Sequence, residues 1–214
     1  GTLSAWYNTT VESVGGTLSE INLQAVFNKG GSLLFGANWS LDSGAGLDDK
    51  CVFVTDQGEV AVFTGSNPNS SGSWQLEGVY KLGPPIDKHA SVSLGGDLLI
   101  ITDDGIFPLS QAIVKDYAAL IAGAFSAPIE DAWQRNISQR SSADPVSVSL
   151  WDSRGIMIVS VPGPFEGLPV AYVANSRLGA WTRYLGWDIN SSVTFEDRLY
   201  FCDPDGIVFL AENG

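Results

Sequence analysis

Three short segments share one signature, a small residue followed by tryptophan, set just after a loop and at the head of a strand-like run. They are Ser4-Ala5-Trp6-Tyr7, Gly72-Ser73-Trp74-Gln75 and Gly179-Ala180-Trp181-Thr182. This recurrence constrains the fold more than any other feature, because a repeated unit of a few tens of residues has to bury its apolar face against its neighbours. Each segment reads as the edge strand of a β-meander, and radial repetition of meanders leaves only short, protected edges. The expected class is therefore all-β: a β-propeller of four to five blades, or part of a larger propeller, with a small helical insertion.

The runs between the tryptophan segments fill in the repeat. The first unit has strands at Ala25 to Phe27 running on to Leu33-Leu34-Phe35, at Cys51 to Thr55, at Glu59 to Thr64 and at Trp74 to Leu82. Asp56-Gln57-Gly58 forms a tight turn in this unit, and 65–72 a longer loop rich in Ser and Asn. The second unit has strands at Ser91 to Leu94, Asp97 to Thr102 and Ile106 to Leu109. Leu98-Leu99-Ile100-Ile101 is continuously apolar, as befits a strand covered on both faces.

The fourth strand of that second unit is replaced by helical sequence, Ala112 to about Phe125 and Pro128 to about Gln139. Ile129, Trp133 and Ile137 recur every four residues there and predict one docking stripe, with Ser126 as N-cap. A third unit runs through Val146–Trp151, Ile156–Val161, Val170–Ala174 and Trp181–Leu185, and a fourth through Ser192–Phe195, Arg198–Cys202 and Ile207–Leu210. The fourth unit lacks an outer strand, and Ser4 to Asn8 is the expected donor, closing the last blade with the first strand. The chain is thus expected to be one propeller-like domain over 1–214 with a helical insertion over 112–141.

Charge and composition exclude several functions. With 11 Lys+Arg against 24 Asp+Glu, the formal net charge of -13 opposes a sequence-independent grip on nucleic acid. No stretch approaches the ~20 apolar residues that span a bilayer. Cys51 and Cys202 lie in apolar strand-like runs and are expected as buried free thiols of a reducing compartment rather than a disulfide. Gly1-Thr2-Leu3 has neither an initiator Met nor a signal-like run, the expectation for a piece of a longer protein. Sequons at Asn8, Asn38, Asn69, Asn136 and Asn190 keep a secreted, glycosylated binding module as a minor alternative.

The chemistry-bearing residues do not assemble into a motif. His89 is the only histidine, in the polar link Asp87-Lys88-His89-Ala90, so every histidine-dependent triad would have to pass through a solvated linker residue. No His/Cys cluster has zinc spacing. Asp203-x-Asp205-Gly206 and Asp42 with Asp48-Asp49 offer oxygen ligands of the kind calcium takes, yet they complete no calcium-loop pattern and read as hairpin turns. The sialidase-type S/T-x-D-x-G-x-x-W turn fails at Asp56-Gln57-Gly58 and Asp103-Asp104-Gly105, where Val54 and Ile101 replace Ser/Thr and no Trp follows. No catalytic residue, metal site or cofactor is assigned, and no binding residue is singled out. The seven tryptophans read as core and blade-edge packing; a solvent-facing cluster of Trp with carboxylates would instead indicate a carbohydrate-binding or glycoside-hydrolysing propeller acting on a host surface.

Several blocks taken in order resemble a known group. These are Asp48-Asp49-x-Cys51 through Phe63, Trp74 to Gly83, Gly95-Gly96-Asp97 through Gly105 with Pro108-Leu109-Ser110, and Gly179-Ala180-Trp181-Thr182-Arg183-Tyr184. Over about Val26 to Gly214 the chain resembles uncharacterised phage and prophage proteins of the tail region, themselves similar to β-propeller tail-nozzle and connector proteins of short-tailed phages. The resemblance implies a non-enzymatic virion structural protein, made in the bacterial cytoplasm and built into the tail. Its partners would be other virion and tail proteins, with a homo-oligomeric ring in the full-length protein. Neither sequence-specific nucleic-acid binding nor a membrane is implied, and an acidic lumen would let a polyanion slide without sticking.

Overall fold

The computed structural model describes residues 1–10, 15–42, 47–65, 67–70, 72–141, 145–165 and 167–212. They are mostly β, in small antiparallel sheets, and divide into two compact units, Gly1–Pro85 and Ile86–Gly214.

In the first unit, β1 (Ser4–Asn8) pairs antiparallel with β2 (Leu18–Asn22) as a two-stranded sheet. Then β3 (Leu33–Asp42), β4 (Leu47–Thr55), β5 (Glu59–Thr64) and β6 (Gln75–Lys81) form a four-stranded meander in chain order. Strand periodicity sends Phe53, Ala61 and Phe63 to one face, where they bury Leu3, Leu23 and Phe27. Trp74 stacks on Phe63 at 5.2 Å between ring centroids. The β4–β5 turn closes on Gly58, whose φ of +74° suits glycine and whose Cβ would lie 2.4 Å from the Leu82 carbonyl oxygen. The adjoining loop is held by Glu59, a fully buried residue whose carboxylate accepts the Asn28 and Lys29 amides at 2.8–3.2 Å.

The second unit contains three meanders and the helices. The strands β7 (Ser91–Leu94), β8 (Asp97–Thr102) and β9 (Gly105–Pro108) form the first. After it come α1 (Leu109–Ala112), α2 (Tyr117–Ala122), a 3-10 turn over Ala127–Ile129 and α3 (Glu130–Gln139). The second meander is β10 (Ser147–Trp151), β11 (Ile156–Phe165), β12 (Leu168–Asn175) and β13 (Trp181–Leu185). The third is β14 (Ser191–Phe195), β15 (Arg198–Cys202) and β16 (Val208–Leu210).

These three sheets pack face to face in chain order. Alternation along β11 and β12 turns Met157, Val159, Tyr172 and Ala174 toward Leu99, Ile101 and Ile106 of the preceding sheet, with Trp133 of α3 in the same cluster. The residues between them, Ile158, Ala171 and Val173, turn the other way and meet Ile189, Leu199 and Ala211. Consecutive residues therefore serve different neighbours, which is why β11 and β12 read as unbroken apolar runs rather than alternating ones. The first strand of each meander lies beside the first strand of the next: β10 neighbours both β7 and β14. A polar stitch fixes the second junction, where the Ser192 hydroxyl lies 2.7 Å from those of both Ser147 and Ser149, and Thr194 Oγ1 donates to the Leu150 carbonyl at 2.5 Å.

The structure corrects four local expectations. The segment Ser4–Asn8 pairs with β2 and not with the fourth repeat, whose sheet has three strands, and the three tryptophans differ in setting: Trp6 is solvent-exposed, Trp74 just precedes β6 and stacks on Phe63, and Trp181 opens β13 and packs on Phe125. Residues Ala25 to Phe27 form a turn, and the first strand of the meander is Leu33–Asp42, a stretch obscured by its interleaved Gly36, Asn38 and Ser40. Of the helix expected over Ala112 to Phe125 only Tyr117–Ala122 forms: α1 ends at Ala112, the chain turns at Ile113 and Val114, and Asp116 caps α2 by accepting the Ala119 amide. Ser126 caps no helix; its hydroxyl instead accepts the Ile106 amide at 3.0 Å and ties the insertion to β9.

Candidate functional site

A concavity in the second unit lies where the start of α3 meets β13. It has a volume of about 610 Å³ and is lined by Ile129, Glu130, Asp131, Arg135, Trp181 and Arg183, among others. Trp181 is placed by the small-Trp signature at the head of the fourth strand, opposite Ala174. Its indole N–H donates to the Phe125 carbonyl at 3.0 Å and its ring meets Phe125 edge-on at 5.5 Å, so it fastens the insertion to the sheet. Arg135 is steadied through Nε on the Asp131 carbonyl at 3.2 Å. Beneath, Tyr172 donates its hydroxyl to the Ala132 carbonyl at 3.0 Å; burial raises its pKa, and Arg183 and Arg135 oppose that rise. The groove thus combines an aromatic edge, two carboxylates and two guanidinium groups around a joint that is already hydrogen-bonded.

The other sequence-marked residues are spread apart or structural. Trp39, Trp133 and Trp151 are buried, Trp74 stacks on Phe63, and Trp187 lies between Tyr184 and Phe201 with the latter 5.0 Å away. Trp133 also donates to the Asp103 carbonyl at 3.3 Å, and Trp151 to that of Asp197 at 3.0 Å. The exposed His89 approaches Asp87, at 3.4 Å. The Asp203 turn is a hairpin device: its Oδ1 accepts the Ile207 amide at 2.8 Å and Gly206 takes φ of +82°. The side chains of Asp42 and Asp48 lie outside the described residues, and Asp49 accepts from Ser40 Oγ at 2.5 Å.

At the β8–β9 turn, Asp104 accepts the Tyr117 hydroxyl, and the tyrosine pKa is raised by burial and by that bond. Asp103 is raised in turn by burial and by Asp104, against the pull of Arg140. Among the described residues no group of three or more His, Cys, Asp or Glu side chains could hold a metal ion. Cys51 and Cys202 are free, half-buried thiols; burial pushes Cys51 up to about 11. Asn136 of the fourth sequon is buried in α3 and donates to the Gly163 carbonyl at 3.3 Å, a position closed to a glycan.

Two surfaces went unnoticed in the sequence because their residues alternate with core positions. On β14–β16, Val193, Phe195, Arg198 and Val208 share the face turned away from the preceding sheet, and Phe195 and Val208 are 62% and 68% exposed. On β1–β2, Trp6, Leu18 and Glu20 share the face turned away from the first meander, with Trp6 62% exposed. No described helix is long and apolar enough to cross a membrane. Compared with known proteins, the chain matches no family model and no curated relative.

Proposed function

We propose that the chain is a non-enzymatic structural module: an arc of β-propeller blades serving in a phage or prophage tail, as part of a nozzle, connector or fibre platform. The observation that carries the architectural half is the face-to-face succession of meanders over 86–214 with first strands side by side, the packing that radial blades require. The tail assignment rests on the resemblance of the ordered sequence blocks. The placement of the tryptophans favours this reading over a glycan platform, since Trp39, Trp133 and Trp151 are spent in cores and Trp181 in fastening the insertion. The acidic balance, -13 overall, suits contact with a translocating polyanion.

The test is compositional. Particles of the phage or induced prophage that encodes the chain are purified, and its peptides are sought by mass spectrometry in intact particles and in separated tails. The proposal expects them in the tail fraction at fixed stoichiometry. Peptides found only in the lysate, or sugar hydrolysis by the purified chain, overturn it. The groove beside Trp181 supports a second reading, capture of a saccharide between the indole edge and the Glu130, Asp131 and arginine groups. A glycan-array signal lost in Trp181→Ala but kept in Trp6→Ala would favour that alternative.

A further inference from the structure

The groove between the start of α3 and β13 gathers charges of both signs without pairing them. On β13 the strand period puts Trp181 and Arg183 on one face, the face that α3 covers, and Arg183 stands directly across from Tyr172. From the helix, Arg135 is turned back by its Nε bond to the Asp131 carbonyl at 3.2 Å, one residue from the Ala132 carbonyl that accepts the Tyr172 hydroxyl at 3.0 Å. Sheet register leads one guanidinium to this tyrosine and a helix hydrogen bond leads the other. Glu130 and Asp131, in the first turn of α3, line the same groove. The Arg135 bond goes to the Asp131 backbone and not to its carboxylate, and among the described residues Glu130, Asp131 and Arg135 form no ion pair.

That combination selects a ligand. Two planar guanidinium groups offer forked donors that match a carboxylate, whereas Glu130 and Asp131 only accept and call for hydroxyl donors. The half-buried Trp181 and Ile129 add apolar surface of the kind on which a sugar ring packs. The charges of the two arginines and two acids sum to zero, so a ligand with one carboxylate is accommodated where the near-dianion of a phosphate monoester would be repelled by the acids. A volume of about 610 Å³ lies within the range of small-molecule sites.

We infer that the groove binds a uronic acid residue of a saccharide, with its carboxylate held by Arg135 and Arg183, its hydroxyls donating to Glu130 and Asp131, and its ring against Trp181. The indole N–H is already bonded to the Phe125 carbonyl, so Trp181 contributes ring surface and not a hydrogen bond. The inference rests on the saccharide reading of the groove given above and narrows it to one class, and a structural module of a tail can carry such a site.

The test removes the ligand's charge. Isothermal titration of the full chain uses trigalacturonate, a hyaluronan tetrasaccharide carrying glucuronate, the methyl ester of each, and a triglutamate peptide. At least one uronate is expected to bind with a dissociation constant below about 1 mM, and its methyl ester about tenfold or more weaker, since the ester leaves the guanidinium groups no charge to pair. Arg135→Gln and Arg183→Gln are each expected to weaken uronate binding about tenfold and to bring acid and ester closer together, with melting temperature unchanged because both residues are exposed. These variants are preferred to Trp181→Ala, which also loosens the insertion. Equal binding of acid and ester overturns the inference and leaves the saccharide reading standing. No binding of any sugar probe overturns the inference, and a glycan array without signal takes the saccharide reading with it. Triglutamate bound as tightly as the uronates overturns it in favour of an acidic peptide, and uronate binding untouched by both arginine variants overturns it by placing the ligand elsewhere.

Discussion

Removing the Ser192 hydroxyl tests the junction between successive sheets at its most exposed weakness. Ser192 Oγ lies 2.7 Å from both Ser147 Oγ and Ser149 Oγ, and those two serines are 7% exposed, so water does not readily replace the lost partner. Ser192→Ala removes two hydrogen bonds worth about 0.5–1.5 kcal/mol each and strands two hydroxyls, for a net loss of about 2 kcal/mol. With a urea m-value of ~2 kcal/mol/M the midpoint falls by about 1 M. The assay is urea unfolding by far-ultraviolet circular dichroism, run as a double-mutant cycle with Ser147→Ala. If β10 and β14 are true neighbours, the two losses are coupled by about 0.5 kcal/mol or more. Losses additive within about 0.3 kcal/mol would mean that the hydroxyls do not meet, and the stacking of first strands would fall with them.

Trp133→Ala should cost about 3–5 kcal/mol, since it empties the stripe by which α3 packs on the sheet beside Tyr172, 5.9 Å away; calorimetry that shows under about 1 kcal/mol would mean the helix is not docked there. Glu59→Gln should destabilise by about 1–3 kcal/mol and lose hydrogen-exchange protection at the Asn28 and Lys29 amides, which its carboxylate holds. Unchanged protection at both amides would refute that role. Gly58→Ala should be worse than an ordinary surface change, because a positive φ and a 2.4 Å approach to the Leu82 carbonyl both resist the methyl group; an unaltered denaturation midpoint would count against the turn. Cys51 ionises only near 11 in the folded chain against 9.0 unperturbed, so folding favours its protonated form. Stability should therefore fall as pH rises from about 9 toward 11, and fall less in Cys51→Ala, with iodoacetamide labelling of native Cys51 slow at neutral pH.

Much of the strand pattern was legible because each turn is punctuated by residues with a local reason to turn. Asp56-Gln57-Gly58, Gly95-Gly96, Asp103-Asp104-Gly105 and Asp203-Pro204-Asp205-Gly206 all separate strands as expected. The stripe Ile129, Trp133 and Ile137 also packs into the core. Local sequence could not show which strand completes which sheet, because pairing depends on contacts distant in the chain. Thus Ser4-Ala5-Trp6 has the signature of Gly179-Ala180-Trp181 but pairs with β2, whose Leu18-Ser19-Glu20-Ile21-Asn22 sequence has its two apolar residues three apart and so lacks the strand period. The outward faces at β1–β2 and β14–β16 escaped notice for a related reason. Val193 and Phe195 look like core residues in sequence, and only the register of β14 against β15, with Ser192 and Thr194 turned inward, places them outside.

The claim on which the architecture depends is that one sheet serves two neighbours, through alternate residues of the same strand. Methyl-resolved nuclear Overhauser spectroscopy on the full chain reads this directly at Met157 and Ile158. Met157 should contact Leu99 and Ile101, and Ile158 should contact Ile189 and Leu199. If both methyl groups instead report the same neighbouring sheet, or if Ile158 faces solvent, the meanders do not stack in succession and the propeller reading is wrong.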